Sequence, residues 1–485
     1  MTVNFKVVTR MMVILLLVLG VSLIPSLLVA LIYKEYECIK AFAIVIALCL
    51  IIGAGTFRRL GASVIKIKNR DGFLVVALCW LVASFVGCLP FFLSGAIPDL
   101  VEAFFESASG FTTTGSTILT EIEGLPRSIL FWRSFTHWLG GMGVIVLIMA
   151  IFSSLGVSGQ VIASAETPGP TLDKLTAKFS DTAMNLYLLY ILFTAVEVVL
   201  LCLGGLNLYD ALVHSFGTVG TGGFSSYNAS IAQFTSPYVQ WVIFAFMVMC
   251  GINFNLYYLL IFGRLRQMLA SEELKIYLAI IAAATVTISI NVAGFYSSFG
   301  EAVRKAFFQV ASIITTTGFS NVEFMAWPQL SRAVILMLLF TGACAGSTAG
   351  GIKISRIAIM AKAVYRSIHQ LAHPHEVSCI KFEGKVVDRE TRSFVCTYMT
   401  VFFLILFIST FFAMLQGHDF ETSFSAMLSC FNNVGPALGL VGHSGNYNIF
   451  NGSIKLFMSL IMLIGRLEIF PVLILFMPST WEKHS

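Results

Sequence analysis

Charge is what this 485-residue sequence has least of: Asp, Glu, Lys and Arg together make up 11% of it, where a soluble chain carries roughly 25%. That shortage excludes an ordinary cytosolic enzyme, whose surface needs the missing charge for solvation. Metal-type cysteine spacing is lacking as well. No two of the ten cysteines form a CxxC pair, and Cys49, Cys79, Cys88, Cys202, Cys250, Cys344 and Cys396 lie inside apolar runs. Such thiols act as small buried hydrophobes rather than redox or metal groups. There is no Walker A lysine, no GxGxxG after a strand and no nucleophile beside a plausible base. The chain is therefore not expected to hydrolyse ATP or to act as an enzyme.

What is there is apolar length. Hydrophobic residues make up 57% of the chain, and they gather into runs near 11–33, 40–57, 72–94, 128–152, 184–204, 238–262, 276–296, 331–352, 394–415 and 453–477. Runs of about 20 residues cross a bilayer as helices, so the expectation is an all-α polytopic membrane protein with ten spans. The first run follows Lys6 and Arg10 with no small-residue cleavage site. It reads as an uncleaved start helix.

Between the spans lie segments of a second kind, at 99–117, 208–226, 300–320 and 419–439, too short to cross and too apolar for ordinary loops. Each has an acidic residue at or near its start that can cap a helix (Asp99, Asp210, Glu301, Asp419), continues for about three turns, and ends in Thr or Asn plus Gly. The closing glycines Gly115, Gly223, Gly318 and Gly435 stand 108, 95 and 117 residues apart. A period of roughly 100 residues is of the kind produced by internal duplication in transport proteins. The expected organisation is a two-helix extension over 1–70, then pore repeats over 71–160, 161–270, 271–370 and 371–485. Each repeat is a spanning helix, a re-entrant short helix with its loop, and a second spanning helix.

With the amino terminus inside, 21 of the 30 Lys and Arg fall in segments on the inner side, eight near the outer side, and Arg466 within a span. The bias follows the positive-inside rule and puts the four re-entrant segments on the external face. Irregular backbone at membrane depth costs several kcal/mol per unpartnered group unless it lines a cavity or is buried in protein. Four such stretches around one axis would present carbonyl rings that replace a cation's hydration shell, with glycine turning the carbonyls inward. The inferred ligand is a desolvated monovalent cation.

Two further features point below that ring. Residues 342–351 interrupt an apolar span with glycine and small residues, which cannot hold a helix firmly. Arg466 lies inside a span, where an arginine costs about 2.5–3.5 kcal/mol and needs a partner. Glu468, two residues on, faces elsewhere on a helix. The expectation is that Arg466 donates to carbonyls of 342–351 and sets a positive barrier beneath the ring. His369, His373 and His375 read as a solvated connection, since no Cys or carboxylate completes a metal set in the sequence.

The motifs Phe111-Thr-Thr-Thr-Gly-Ser116, Gly220-Thr-Gly-Gly-Phe-Ser225, Thr315-Thr-Thr-Gly-Phe-Ser320 and Asn432-Asn-Val-Gly-Pro436 resemble the four pore loops of the Trk/Ktr/HKT superfamily of potassium transporters, and of bacterial Trk-type membrane subunits in particular. Gly342-Ala-Cys-Ala-Gly-Ser-Thr-Ala-Gly-Gly-Ile-Lys353 and Gly465-Arg-Leu-Glu-Ile469 extend the resemblance. It implies a selectivity filter at Thr114, Gly115, Gly222, Gly223, Thr317, Gly318, Val434 and Gly435, with bound potassium as the transported ion and no cofactor. Glycine in all four repeats is the pattern associated with potassium, serine in the first with sodium. It also implies an intramembrane gate using Gly342, Gly346, Ser347, Thr348, Gly350, Gly351, Lys353 and Arg466.

The implied setting is the bacterial inner membrane with both termini cytoplasmic. The implied partners are lipid, a second copy of the chain and a cytosolic nucleotide-binding RCK-type subunit, without nucleic acid. The basic connections at 153–183, 263–275 and 353–392 are too short to form a nucleotide-binding domain. A secondary symporter coupling potassium to protons or sodium is the alternative. Its mark would be carboxylates inside spans, for which Glu197 and Glu468 are the main candidates.

Overall fold

The computed structural model describes residues 5–60, 69–143, 179–376, 379–443 and 445–477. The end of the expected fourth span, from residue 144, and most of the 153–183 connection lie outside the described residues. Among the described residues the regular structure is helical, apart from one two-stranded hairpin pairing Lys381–Phe382 with Lys385–Val386.

Two kinds of helix alternate. The extension supplies the apolar stretches Phe5–Tyr33 and Tyr36–Arg58, and the first helices of the four repeats are Asn69–Leu93, Phe179–Leu203, Glu272–Asn291 and Arg389–Met414. At 20 to 26 residues each, these first helices are about 30–39 Å long at 1.5 Å per residue, enough to cross the hydrocarbon core. The second helices are shorter.

The second helices differ from the unbroken spans expected. The second helices run Arg127–Gly141, Pro237–Cys250, Gln329–Phe340 and Gly452–Arg466, 12 to 15 residues each, or about 18–23 Å. After the breaks the chain bends by 96° into Phe254–Ile261 and by 118° into Phe470–Phe476. Among the described residues, six helices are long and apolar enough to cross, or eight if each bent pair counts as one span. Each break falls where a glycine meets another element. A side chain on Gly140 or Gly465 would run into the carbonyl of Phe111 or Phe431, and one on Gly251 into Tyr277 and Thr315.

The short helices between them are Leu100–Phe111, Leu208–Gly220, Phe299–Ile314 and Phe420–Asn432. Asp99 caps the first as expected, accepting from the amides of Val101 at 2.8 Å and Glu102 at 3.0 Å. Asp419 caps the fourth, 3.1 Å from the Thr422 amide. The other two assignments were displaced by one turn: Asn207 caps the second helix and Ser298 the third, each accepting from the amide three residues on, at 2.8 and 3.2 Å. Asp210 and Glu301 occupy the first turn instead, where the positive helix end still favours an acid.

Four of the basic residues assigned to one side or the other, Arg133, Lys353, Arg356 and Lys455, are buried. Arg133 pairs with Glu106 at 2.6 Å, Lys455 with Glu102 at 2.5 Å, and Arg356 with Glu468. Burial of such groups requires these partners. All ten cysteines are free thiols.

Candidate functional site

The short helices all end the same way. The amides of Thr114, Gly222, Thr317 and Val434 reach back five residues to the carbonyls of Ser109, Gly217, Ser312 and Ser429, at 2.8–3.0 Å. The amides just before them, of Thr113, Thr221, Thr316 and Asn433, reach back three residues. This pair of bonds is the Schellman ending, whose left-handed residue is usually glycine. Here it is threonine or asparagine, at φ of +53° to +56°. A left-handed β-branched residue costs about 1–3 kcal/mol and marks a position where the side chain is needed.

One step further, the glycines close a ring. A Cβ on Gly115 would stand 2.8 Å from the Gly223 amide nitrogen, and one on Gly223 would stand 2.7 Å from the Thr317 carbonyl oxygen. One on Gly318 would meet the Val434 oxygen, and one on Gly435 would lie 2.6 Å from the Thr114 oxygen. The four loops therefore touch in chain order, first to second to third to fourth and back to the first. Gly115, Gly318 and Gly435 also need glycine for φ, at +78°, +82° and +101°. Gly223 does not enter that region, and close approach alone requires it.

All eight residues expected of the filter sit in this ring. Among the described residues, the carbonyls of Thr114, Gly115, Gly222, Gly223, Thr317, Gly318 and Val434 accept no hydrogen bond. The fourth loop departs: the Gly435 carbonyl accepts from the Tyr447 hydroxyl at 2.8 Å and the Ser116 hydroxyl at 3.4 Å. The second loop departs for a steric reason. A Cβ on Gly222 would fall into the His137 ring, which is buried with Nδ1 2.8 Å from the Gly110 carbonyl and Nε2 3.3 Å from the Phe224 amide. An imidazole fills the space that threonine takes in the first and third loops.

Beneath the ring, on the side where the short helices end, residues 341–353 form an irregular loop as expected. Its base closes where the Gly342 amide donates to the Ile352 carbonyl at 2.7 Å. The Gly350 amide donates to the Thr316 hydroxyl at 2.7 Å, which joins loop to ring. The Cys344 amide donates to the Gly251 carbonyl and the Phe254 amide to the Gly346 carbonyl, at 3.1 and 3.0 Å, which joins it to the break in the second repeat. Ser347 stays internal, its hydroxyl 2.7 Å from the Cys344 carbonyl.

Arg466 behaves as expected and does more. It donates to the Thr348 carbonyl at 2.8 Å, and its other terminal nitrogen donates to the Gly140 and Gly141 carbonyls at 2.7 and 2.8 Å. Those two carbonyls end the second helix of the first repeat, where a cation is favoured. One guanidinium thus ties three repeats together. Lys353 folds back onto the carbonyls of Ala349 and Gly350.

Glu273, Thr316 and Tyr447 were not singled out by the sequence. The Glu273 carboxylate accepts from the Ala345 amide at 2.9 Å and the Ser355 amide at 3.0 Å, clamping both limbs of the loop. Its only sequence signal is a carboxylate at the start of a span. In the basic connection, Glu376 brings a carboxylate to His369 and His373, their ligand atoms within 4.8 Å of one another, where no carboxylate was expected to complete a set.

The chain is similar to several known proteins along nearly its whole length. The chain is 36% identical to the Trk system potassium uptake protein TrkH of Escherichia coli K12, across 99% of this chain and 100% of that protein. It is 30% identical to the Trk system potassium uptake protein TrkI of Halomonas elongata, across 98% of this chain and 97% of that protein. The crystal structure of the potassium transporter TrkH from Vibrio parahaemolyticus superposes with a TM-score of 0.88 at 31% identity, covering 99% of this chain and 100% of that one. The family profile described as TrkH, cation transport protein, matches residues 38–483. With a match of that length over a ring-and-loop core of this form, the chain belongs to the TrkH family of cation transport proteins.

Proposed function

We propose that this chain carries potassium ions across the bacterial cytoplasmic membrane through the centre of the glycine ring, as the ion-conducting subunit of a Trk-type system. The observation that supports it most is the closed ring of four loops with seven carbonyls left without a donor among the described residues. Such carbonyls are costly in the membrane interior unless a cation completes them. The ring-lining residues are Thr114, Gly115, Gly222, Gly223, Thr317, Gly318, Val434 and Gly435, and the pore repeats keep the boundaries at 71, 161, 271 and 371.

The gate in this reading is the loop from Gly342 to Lys353, pinned by Arg466, since it lies directly under the ring. Both termini are placed in the cytoplasm by the basic bias of the connecting segments. A homodimer controlled by a cytosolic nucleotide-binding RCK-type subunit completes the proposal.

The test is flux in liposomes containing the full-length chain. Rubidium should enter well ahead of sodium. Gly115→Ser should narrow that difference, because the new side chain meets the Gly223 backbone. Equal permeation of the two ions before any substitution refutes the potassium reading.

A further inference from the structure

Each ring loop rises from its glycine back towards the start of the short helix that carried the chain in, and three of the four are tied to that helix by matching side chains. Nine residues before the ring glycine stand Glu106, His214 and Gln309, and two residues after it stand Thr117, Ser225 and Ser320. The structure joins every pair, at 2.9, 3.0 and 3.0 Å. The fourth repeat has Ala426 and Ala437 at these positions. There Ser425 takes over, accepting from the Leu438 amide at 3.0 Å.

The first of these ties is the charged one. Glu106 is fully buried and accepts three donors: the Thr117 hydroxyl, the Ile118 amide at 3.0 Å and Arg133 Nε at 2.6 Å. Arg133, also buried, donates onward to the Ser225 carbonyl at 3.0 Å and lies over the Phe224 ring at 3.6 Å. Thr117 and Ile118 follow the first ring glycine, and Phe224 and Ser225 follow the second. One ion pair therefore spans two neighbouring loops.

We propose that Glu106 and Arg133 are positioning residues for ion selectivity: their buried pair fixes the spacing between the first and second loops, and so the width of the ring. The inference rests on reading the ring as the ion path. A buried ion pair adds little stability over an apolar pair of equal volume, whereas its bonds are directional and hold geometry. Carbonyls held at a fixed spacing favour the ion that fits them. Carbonyls free to close in accept the smaller sodium ion as well.

The experiment compares the full-length chain with Glu106→Gln/Arg133→Met, which removes both charges together and leaves neither buried alone, and with Arg133→Lys, which keeps the charge but loses the fork that reaches Ser225. Initial rates of rubidium and sodium entry into liposomes are read separately. The double variant should lower the rubidium-to-sodium ratio about tenfold while rubidium entry changes less than about threefold, on the scale of losing one charge-assisted bond. Arg133→Lys should lower the ratio in the same direction by a smaller factor, and it decides the matter if the double variant does not fold. A ratio unchanged in folded protein overturns the proposal, as does a parallel fall in both rates, which a merely structural pair would give. Equal entry of the two ions in the unaltered chain overturns the potassium reading of the ring itself, before either variant is compared.

Discussion

The glycine ring and the loop beneath it both place irregular backbone deep in a helical membrane protein, yet they are held in opposite ways. Each ring loop is fastened by its own short helix, through the same two backbone bonds in all four repeats. The loop at 341–353 occurs once, and groups from distant parts of the chain fasten it: the side chains of Glu273, Thr316 and Arg466 and the backbone of Gly251 and Phe254. Local backbone bonds are remade wherever the helix forms. A loop held by a handful of remote contacts lacks that local support. The difference is what the proposed gate requires of the loop.

Three substitutions test that division. The largest effect should come from the ring: Gly318→Ala puts a methyl group against the Val434 carbonyl at a left-handed position, with a backbone cost of about 1–3 kcal/mol. Rubidium uptake by cells expressing it should fall at least about tenfold, with membrane insertion unchanged on detergent gel filtration. Normal uptake would show that the ring has slack.

Next comes the loop's main fastening. Arg466→Ala removes three charge-assisted bonds, each worth about 1.5–3 kcal/mol, and should raise cation leak through liposomes severalfold without changing the rubidium-to-sodium ratio. A leak no greater than that of the unaltered chain would move the barrier elsewhere.

The smallest effect should be that of Thr316→Val, which keeps the shape but removes the oxygen that accepts from Gly350. One neutral bond is worth about 1 kcal/mol, so leak should rise by no more than about fivefold, while Thr316→Ser should leave it unchanged. If valine and serine behaved alike, the link between ring and loop would carry no function.

Much of this was legible in the sequence because it is local. Apolar length marked the first helices, Thr-Gly endings marked the ring, and small residues marked the loop at 342–351. Arg466 was legible for another reason: a charge within a span must find a partner, and nearby carbonyls were the available ones. The second helices were misjudged because hydropathy runs straight through their breaks, which are set by contacts such as Gly465 against the Phe431 carbonyl. The caps at Asn207 and Ser298 were missed because a more acidic residue stood one turn on. Glu106, His214 and Gln309 carried a signal that was there to find, a polar residue at one fixed distance from three of the four ring glycines, hidden because the three side chains differ in type.

By itself the sequence determined which stretches are helix, where the four short helices must end, and that four loops of one design exist, since propensity, capping and burial act over a few residues. Only the tertiary structure decided how those loops meet, that the Gly435 carbonyl is taken by Tyr447, and that one arginine joins three repeats. These depend on distances between groups from 12 to 326 residues apart, and no local preference encodes such distances; they are fixed only when the helices pack.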